Sequence, residues 1–413
     1  MEHQVVDHLF RHQYGKMIAV LTNFFGLAHL ELIEDAVQDT FVKATMQWRN
    51  EVPKNPEAWF IRAAKNRTID LLRKIKADKL RSEKLAHGAA SIHLNDMFLE
   101  HEIQDSQLRM IFVACHPELA PEEQLAFALK TISGFSLKEI SAALLTKEET
   151  VKKRLSRARK KVIENDIQFE FPAKEHITER LDGVLKVIYL IFNEGFHSTK
   201  RELLIDQQLC VEALRLNQLL LEKEMLKSGK TYALFALMCF HAARLRSRID
   251  EEGNILDLEH QDRSDWQMPF VVLGNDAMNK AVTYPDQSSY HYEAAIAAEH
   301  LKANSFEQTD WATILQYYKA IEAELPSVFN KLNQAIVLIQ LKEYETAKSI
   351  LENLDASRLN QRAYLLNATW AELYHKTGKT ALALDSLDQA ITGVSNELEK
   401  NYFTRKRQKY TQN

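Results

Sequence analysis

The sequence is short of the residues that interrupt helices: its 413 positions hold only 11 glycines and 8 prolines. These two are the main helix breakers, so their scarcity argues for an all-α chain and against one made of strands and tight turns. Cysteine is scarcer still. Cys115, Cys210 and Cys239 stand far apart with no CxxC spacing, which excludes a disulfide scaffold and a thiolate zinc site and fits reduced, buried thiols in a cytoplasmic protein. No apolar run approaches the ~20 residues needed to span a bilayer, and the opening MEHQVVDHLFRHQYGK has no signal-peptide core. No membrane partner is expected. HExxH, GxSxG and glycine-rich phosphate loops are also missing, which removes the commonest signatures of hydrolases and nucleotide enzymes; no catalytic residue, metal or cofactor is expected.

What is present is a globular composition, 46% hydrophobic and 27% charged, in a chain long enough for two to four domains. The net charge of −4 decides nothing, but its distribution does. Between Lys54 and Lys84 ten bases face four acids, and between Lys147 and Lys161 eight bases face only Glu148 and Glu149. The rest is neutral to acidic. A polyanion would therefore be met by the N-terminal part.

Periodicity divides the chain further. Leu32, Ile33, Ala36, Val37, Thr40, Phe41, Ala44 and Trp48 recur at three- and four-residue steps, so one face of that helix is buried. After a break at 49–56, Asn55 is placed to cap a helix with Pro56 at its first position. The stretch KLAHGAASIHLNDMFLEHE loses its period and reads as a linker. Beyond it, Leu137, Ile140 and Leu144 form one stripe, and Val151, Leu155, Ala158 and Val162 another, with a turn at Leu145-Thr146-Lys147. This is a helix-turn-helix, and Lys152, Lys153, Ser156, Arg157 and Lys160 lie on the outward face of its second helix. Such a face can bond phosphates and, through arginine or lysine, guanine edges in a major groove; the plain alternative is a solvated basic surface.

Two segments resemble a known family. IEDAVQDTFVKATMQW followed by NPEAWFIRAAKNRTIDLLRK resembles regions 2.2 to 2.4 of the sigma-70 family. LRMIFVACHPELAPEEQLAFALKTISGFSLKEISAALLTKEETVKKRLSRARKKV resembles region 4. Their order and the lack of a third domain between them are similar to the extracytoplasmic-function (ECF) sigma factors, over roughly the first 165 residues. The resemblance implies a non-enzymatic subunit that binds core RNA polymerase, at the β′ clamp coiled coil and the β flap, and directs it to promoter DNA. It assigns Asp35, Gln38 and Asp39 to polymerase docking. It assigns Arg49, Asn50, Asn55, Arg62, Lys65, Asn66, Arg67 and Arg73 to the −10 element, with Lys74 along the same backbone, and the outward face of the helix-turn-helix to −35. Trp48 and Trp59 could stack on bases, although Trp48 lies on the apolar stripe and Trp59 adjoins Phe60, which favours the core for Trp48 and for at least one of the other pair.

From about Phe171 onward the sequence reads helical. Trp311, Ile314, Tyr318 and Ile321 share their spacing with Tyr344, Ala347, Leu351 and Leu354, and with Thr380, Ala383, Leu387 and Ala390, as in tetratricopeptide (TPR) repeats. YLIFNEGF and LEHQDRSDW resemble segments of ECF factors that bear a helical, TPR-like extension. The expected domains are 1–83, a linker at 84–104, 105–168 and a C-terminal domain at 169–413 that offers a groove to a regulatory protein or peptide, or masks the DNA-binding modules. Two rivals remain: a conventional helix-turn-helix regulator with a TPR-like sensor, and an enzyme using His241, Glu259, Asp262 and Asp265, against which a polar network with Arg244 or Arg263 is the simpler reading.

Overall fold

The computed structural model describes residues 2–48, 52–79, 99–198 and 205–412. It is all-α: among the described residues the only extended pairing is an isolated antiparallel bridge between Ile249 and Ile255. Two compact units divide the chain. The first comprises residues 1–192 and 211–226, the second residues 193–210 and 227–413, so the division falls later than position 169.

The first unit begins with α1 (Glu2–Phe25), α2 (Leu30–Gln47) and α3 (Pro56–Lys79). Asn55 accepts a hydrogen bond from the Ala58 amide at 3.0 Å, and Pro56 opens the helix, the cap and first-turn proline that satisfy orphan N–H groups. The stripe on α2 is buried along its length apart from a half-exposed Leu32. Phe41 meets Phe60 of α3 with ring centroids 3.8 Å apart, and Trp48 packs edge-on to Trp59 at 5.2 Å.

Four further helices follow: α4 (Glu100–Ala114), α5 (Pro121–Ser133), α6 (Leu137–Ala143) and α7 (Glu148–Glu164). α4 starts inside the stretch expected to be linker, because Ile103, Leu108 and Ile111 find a buried face that its polar first turn conceals. Ser136 and Glu139 close a capping box at the start of α6, with bonds of 3.2 and 2.8 Å. Residues 144–147 make the turn, with Leu145 at φ +49°. The unit is completed by most of α8 (Lys174–Phe196) and α9 (Gln207–Glu222).

α1 does not stop at its own three-helix group. Asn23 joins Ser106 and Arg109 of α4 through hydrogen bonds of 3.1 Å each, and Gly15 lies against α5. A Cβ at Gly15 would sit 2.0 Å from the carbonyl oxygen of Ile132. Gly134, just past α5, has φ +65°, and a Cβ there would meet the rings of Tyr14 and Phe10 at 2.8–2.9 Å.

The second unit continues through α10 (Gly229–Ala243), α11 (Met268–Ala281), α12 (Ser289–Lys302), α13 (Trp311–Glu324), α14 (Val328–Gln340), α15 (Tyr344–Glu352), α16 (Tyr364–Lys376), α17 (Thr380–Gly393) and α18 (Glu397–Gln412). α10 is buried almost all round, as expected for a central helix. Its first amides, of Gly229 and Lys230, donate to the Asp286 carboxylate at 2.9 Å each, which places a negative charge at the positive end of the helix. Trp311, Tyr344 and Thr380 each open a helix, and the repeated positions Ile314, Ile321, Ala347, Leu351, Ala383, Leu387 and Ala390 are buried.

Gly15→Ala separates two opposing effects. In a helix free of neighbours alanine would add up to ~1 kcal/mol of stability, whereas a rigid backbone carbonyl at the position of the new methyl costs about 1–3 kcal/mol. The clash is expected to win, seen as a lower urea midpoint; a raised midpoint would show that α1 and α5 are not in contact.

Candidate nucleic-acid interface

The helix-turn-helix presents its basic face as its stripe requires. Val151, Leu155, Ala158 and Val162 are buried, and the 3.6-residue period then turns Lys152, Lys153, Ser156, Arg157 and Lys160 outward, all five exposed. Lys152 is held to Glu149 at 3.0 Å and Lys160 to Glu164 at 3.5 Å. These exposed pairs are worth little and yield readily to a phosphate.

Arg159, one position off that face, does something different. It pairs with Glu34 and, at 3.2 Å, with Glu31, both on α2. Glu34 is only 3% exposed. Burial pushes its carboxyl above the ordinary range, and the Arg159 guanidinium is the largest influence pulling it back. A groove of about 570 Å³ runs beside this pair, and Lys152, Ser156 and Lys160 of α7 line it together with Leu27, Leu30 and Glu31. Three of the five outward residues are therefore turned toward the start of α2.

The docking residues proposed from the sequence also meet. Asp35, Gln38 and Asp39 are exposed and line a shallow groove of about 470 Å³ beside Arg67 and Leu71. Asp39 is engaged: it accepts from both Nε and Nη2 of Arg67, at 3.0 and 2.6 Å. A residue expected on the polymerase and one expected on DNA thus neutralise each other in the chain as it stands.

Across α2 and α3 lies a third groove, of about 620 Å³, where Arg62, Asn66 and Arg67 stand with Trp59, Met46 and Val42. The basic and amide members were expected; the apolar wall was not. Met46 is 65% exposed and Val42 54%, and solvated apolar side chains beside a tryptophan and two arginines make a surface on which an unstacked base can lie. Their signal in the sequence was there, since both fall off the buried stripe of α2. Trp48 is 2% exposed and belongs to the core. Lys65 is half-buried, and its ammonium is pushed down by burial and then by Arg62. Arg73 is exposed near Asp70, at 3.6 Å, and Asn55 is occupied as a helix cap. Arg49 and Asn50 lie outside the described residues, as does the Lys74 side chain.

The residues imagined as a hydrolytic set are not assembled. His241 sits beside Arg244 and Phe196, while Asp262 caps a short turn by accepting from Ser264 at 2.8 Å, and Glu259 and Asp265 are exposed. Among the described residues no group of three or more His, Cys, Asp or Glu could hold a metal ion, and no helix is long and apolar enough to cross a membrane.

Comparison with known proteins gives this arrangement its context. Residues 9–77 match Sigma-70 region 2 and residues 109–162 match Sigma-70, region 4. Residues 180–282 match a family of unknown function, DUF6596. An uncharacterized protein of Rhizobium meliloti (strain 1021) is 33% identical over 384 residues, which are 91% of this chain and 89% of that one. The chain belongs to that protein's family, and its first half carries the two sigma-70 domains. The ECF RNA polymerase sigma factor SigE of Mycolicibacterium smegmatis is 31% identical over 156 residues, 38% of this chain and 59% of its own length. No solved structure matches. α1–α3 are thus the region 2 module and α4–α7 the region 4 module, and Arg159 with Glu34 joins one to the other.

Arg159→Ala would leave Glu34 buried without its countercharge, a loss of roughly 3 kcal/mol or more. The loss has a sign in pH. Glu34 already titrates above its unfolded value, ~4.3, and without Arg159 it would do so further. The variant should therefore match the wild type below that value and fall behind as pH rises through the folded pKa. Urea unfolding at acid and neutral pH checks this; an equal deficit at both would show that Glu34 is not the charge left behind.

Proposed function

We propose that this chain is an ECF-type sigma factor: it binds core RNA polymerase through region 2 at the β′ clamp coiled coil and region 4 at the β flap, and gives it promoter specificity by reading −10 and −35 elements. The observation that carries this reading is the pair of sigma-70 domains in one compact unit, each bringing a groove or face of the right chemistry to the surface. The groove of Trp59, Arg62, Asn66 and Arg67 takes the opened −10 strand, where flipping a base costs a few kcal/mol and stacking recovers it. Lys152, Lys153, Ser156, Arg157 and Lys160 take −35 in the major groove. Bond-making is left to the polymerase.

The contact between the modules belongs to this proposal as the free state. Elements about 25 base pairs apart are separated by roughly 85 Å of B-DNA, and two modules that touch cannot read both. The 20 residues 80–99 between α3 and α4 could span about 70 Å at full extension, enough for the modules to part. Polymerase supplies two anchoring points and so the effective concentration that each weak module lacks. The second unit, with its repeated helix pairs, is a TPR-like regulator fused to the factor; its helices offer a regulatory protein or peptide a surface, and the setting is the cytoplasm.

Co-purification with core polymerase and runoff transcription from a selected promoter test the reading directly. Asp39→Arg, which sacrifices only an exposed pair worth under ~1 kcal/mol of stability, is expected to abolish the complex without unfolding the chain. Within the holoenzyme, Arg157→Ala is expected to cost ~1–3 kcal/mol on the preferred −35 sequence and to relax preference. Lys160→Ala is expected to weaken all sequences alike and to lower the salt slope by about one. A chain that ignores polymerase, or the same loss for Arg157→Ala on every sequence, contradicts the assignment.

A further inference from the structure

In the second unit a group of cationic and imidazole side chains gathers around one aromatic ring. The Arg248 guanidinium lies 3.9 Å from the centroid of Phe196, donates to the Phe196 carbonyl oxygen, and has Nη2 3.2 Å from Nδ1 of His197. Arg244 approaches the same ring at 5.9 Å and His241 at 3.5 Å. His241 in turn packs on Phe196, with centroids 4.8 Å apart. Arg263, held by the carbonyls of His300 and Ala303 at 2.7 and 2.8 Å, leaves Nη2 buried without a hydrogen-bond partner, and Nδ1 of His300 is likewise unsatisfied.

The charges are one-sided. Among the described residues no carboxylate lies within ion-pair distance of Arg244, Arg248 or Arg263; Glu399 acts weakly on Arg248 and Glu307 on Arg263. Burial and then neighbouring positive charge dominate instead. Arg248 is pressed down to about 9 by burial and Arg244, and His300 to about 3 by burial, Arg244 and Arg263. His241 is held well below the usual imidazole range, by burial first and then by the arginines. Arginine does not give up its proton in proteins, so among the described residues two guanidinium charges stand with no carboxylate at ion-pair distance, a costly state that a counter-ion relieves. The cluster is within reach of solvent: Arg248 is 8% exposed, but His241, Arg244 and His300 are half-buried and His197 is exposed.

We propose that Arg244 and Arg248, with His197 and His241 beside them and Phe196 as the floor, form a binding site for a compact dianionic oxyanion, a phosphoryl group or a dicarboxylate. Two guanidinium forks match the two charges and the planar or tetrahedral oxygens of such a group, and neutral imidazoles add donors without further repulsion. The binding does not rest on the transcription reading: it would hold for the second unit whatever the first one does.

The full-length chain is titrated with inorganic phosphate, pyrophosphate and succinate, against chloride at matched ionic strength, by calorimetry and by the imidazole resonances of the histidines. Saturable binding of at least one anion is expected, with His197 and His241 signals moving on the same curve; the anion that saturates first tells phosphoryl from carboxylate chemistry. Arg244→Gln and Arg248→Gln are expected to weaken that binding at least tenfold, and Arg246→Gln, an exposed arginine between them, to leave it unchanged. Should either of the first two fail to fold, the wild-type resonances still decide. Overturning results are no anion response beyond chloride, a response that bypasses His197 and His241, or equal binding in all three variants.

Discussion

Between α1 and α5 the chain comes so close to itself that the carbonyl oxygen of Ile132 takes up the space of a side chain at Gly15. Around that approach the first unit is built. Asn23 ties the end of α1 to α4, Gly134 admits the rings of Phe10 and Tyr14, and Arg159 reaches from α7 to Glu34, a carboxylate with almost no access to water. Dispersion and apolar burial make such a contact favourable only while both surfaces stay complementary, and the buried ion pair adds a condition: neither partner can leave alone without a large electrostatic cost. A seam of this kind opens as a whole or stays shut.

The state of the candidate surfaces follows from the seam. With region 4 against region 2, three of the five outward residues of α7 share a groove with α2, and Asp39 is neutralised by Arg67. On the proposed reading the chain alone would be a poor DNA binder, for reasons of geometry as well as its modest net charge. In the proposed function, polymerase and promoter together must exceed the free energy of the seam, so specificity for the assembled machine comes from stability stored in the free chain.

Local features were legible in the sequence because local physics makes them. The α2 stripe, the Asn55 cap, the turn at 145–147 and the basic face of α7 depend on residues within a turn or two of one another, and the structure has them where the periodicity put them. What periodicity could not reach were contacts between distant residues. Glu34 reads as a solvated acid until Arg159, 125 positions later, is seen beside it. Gly15 carried a faint signal, since glycine inside a helix is unfavourable unless something needs the room. α4 hid behind its polar first turn, EHEIQD, which has the composition of a linker. The cationic cluster at Phe196 draws on residues from 196 to 300, each unremarkable on its own stretch; Arg244 and Arg263 were noted as network partners, but the network holds arginines and imidazoles where carboxylates were expected.

The opening of the seam can be watched directly. Gln47 and Glu164 are exposed on α2 and α7, and the native cysteines are all buried, so a Gln47→Cys, Glu164→Cys chain takes a donor and an acceptor dye cleanly. Energy transfer should be high in the free protein and fall sharply when core polymerase and promoter DNA are added, as the modules separate toward roughly 85 Å. High transfer that persists in a transcribing complex, or low transfer in the free chain, would contradict the account.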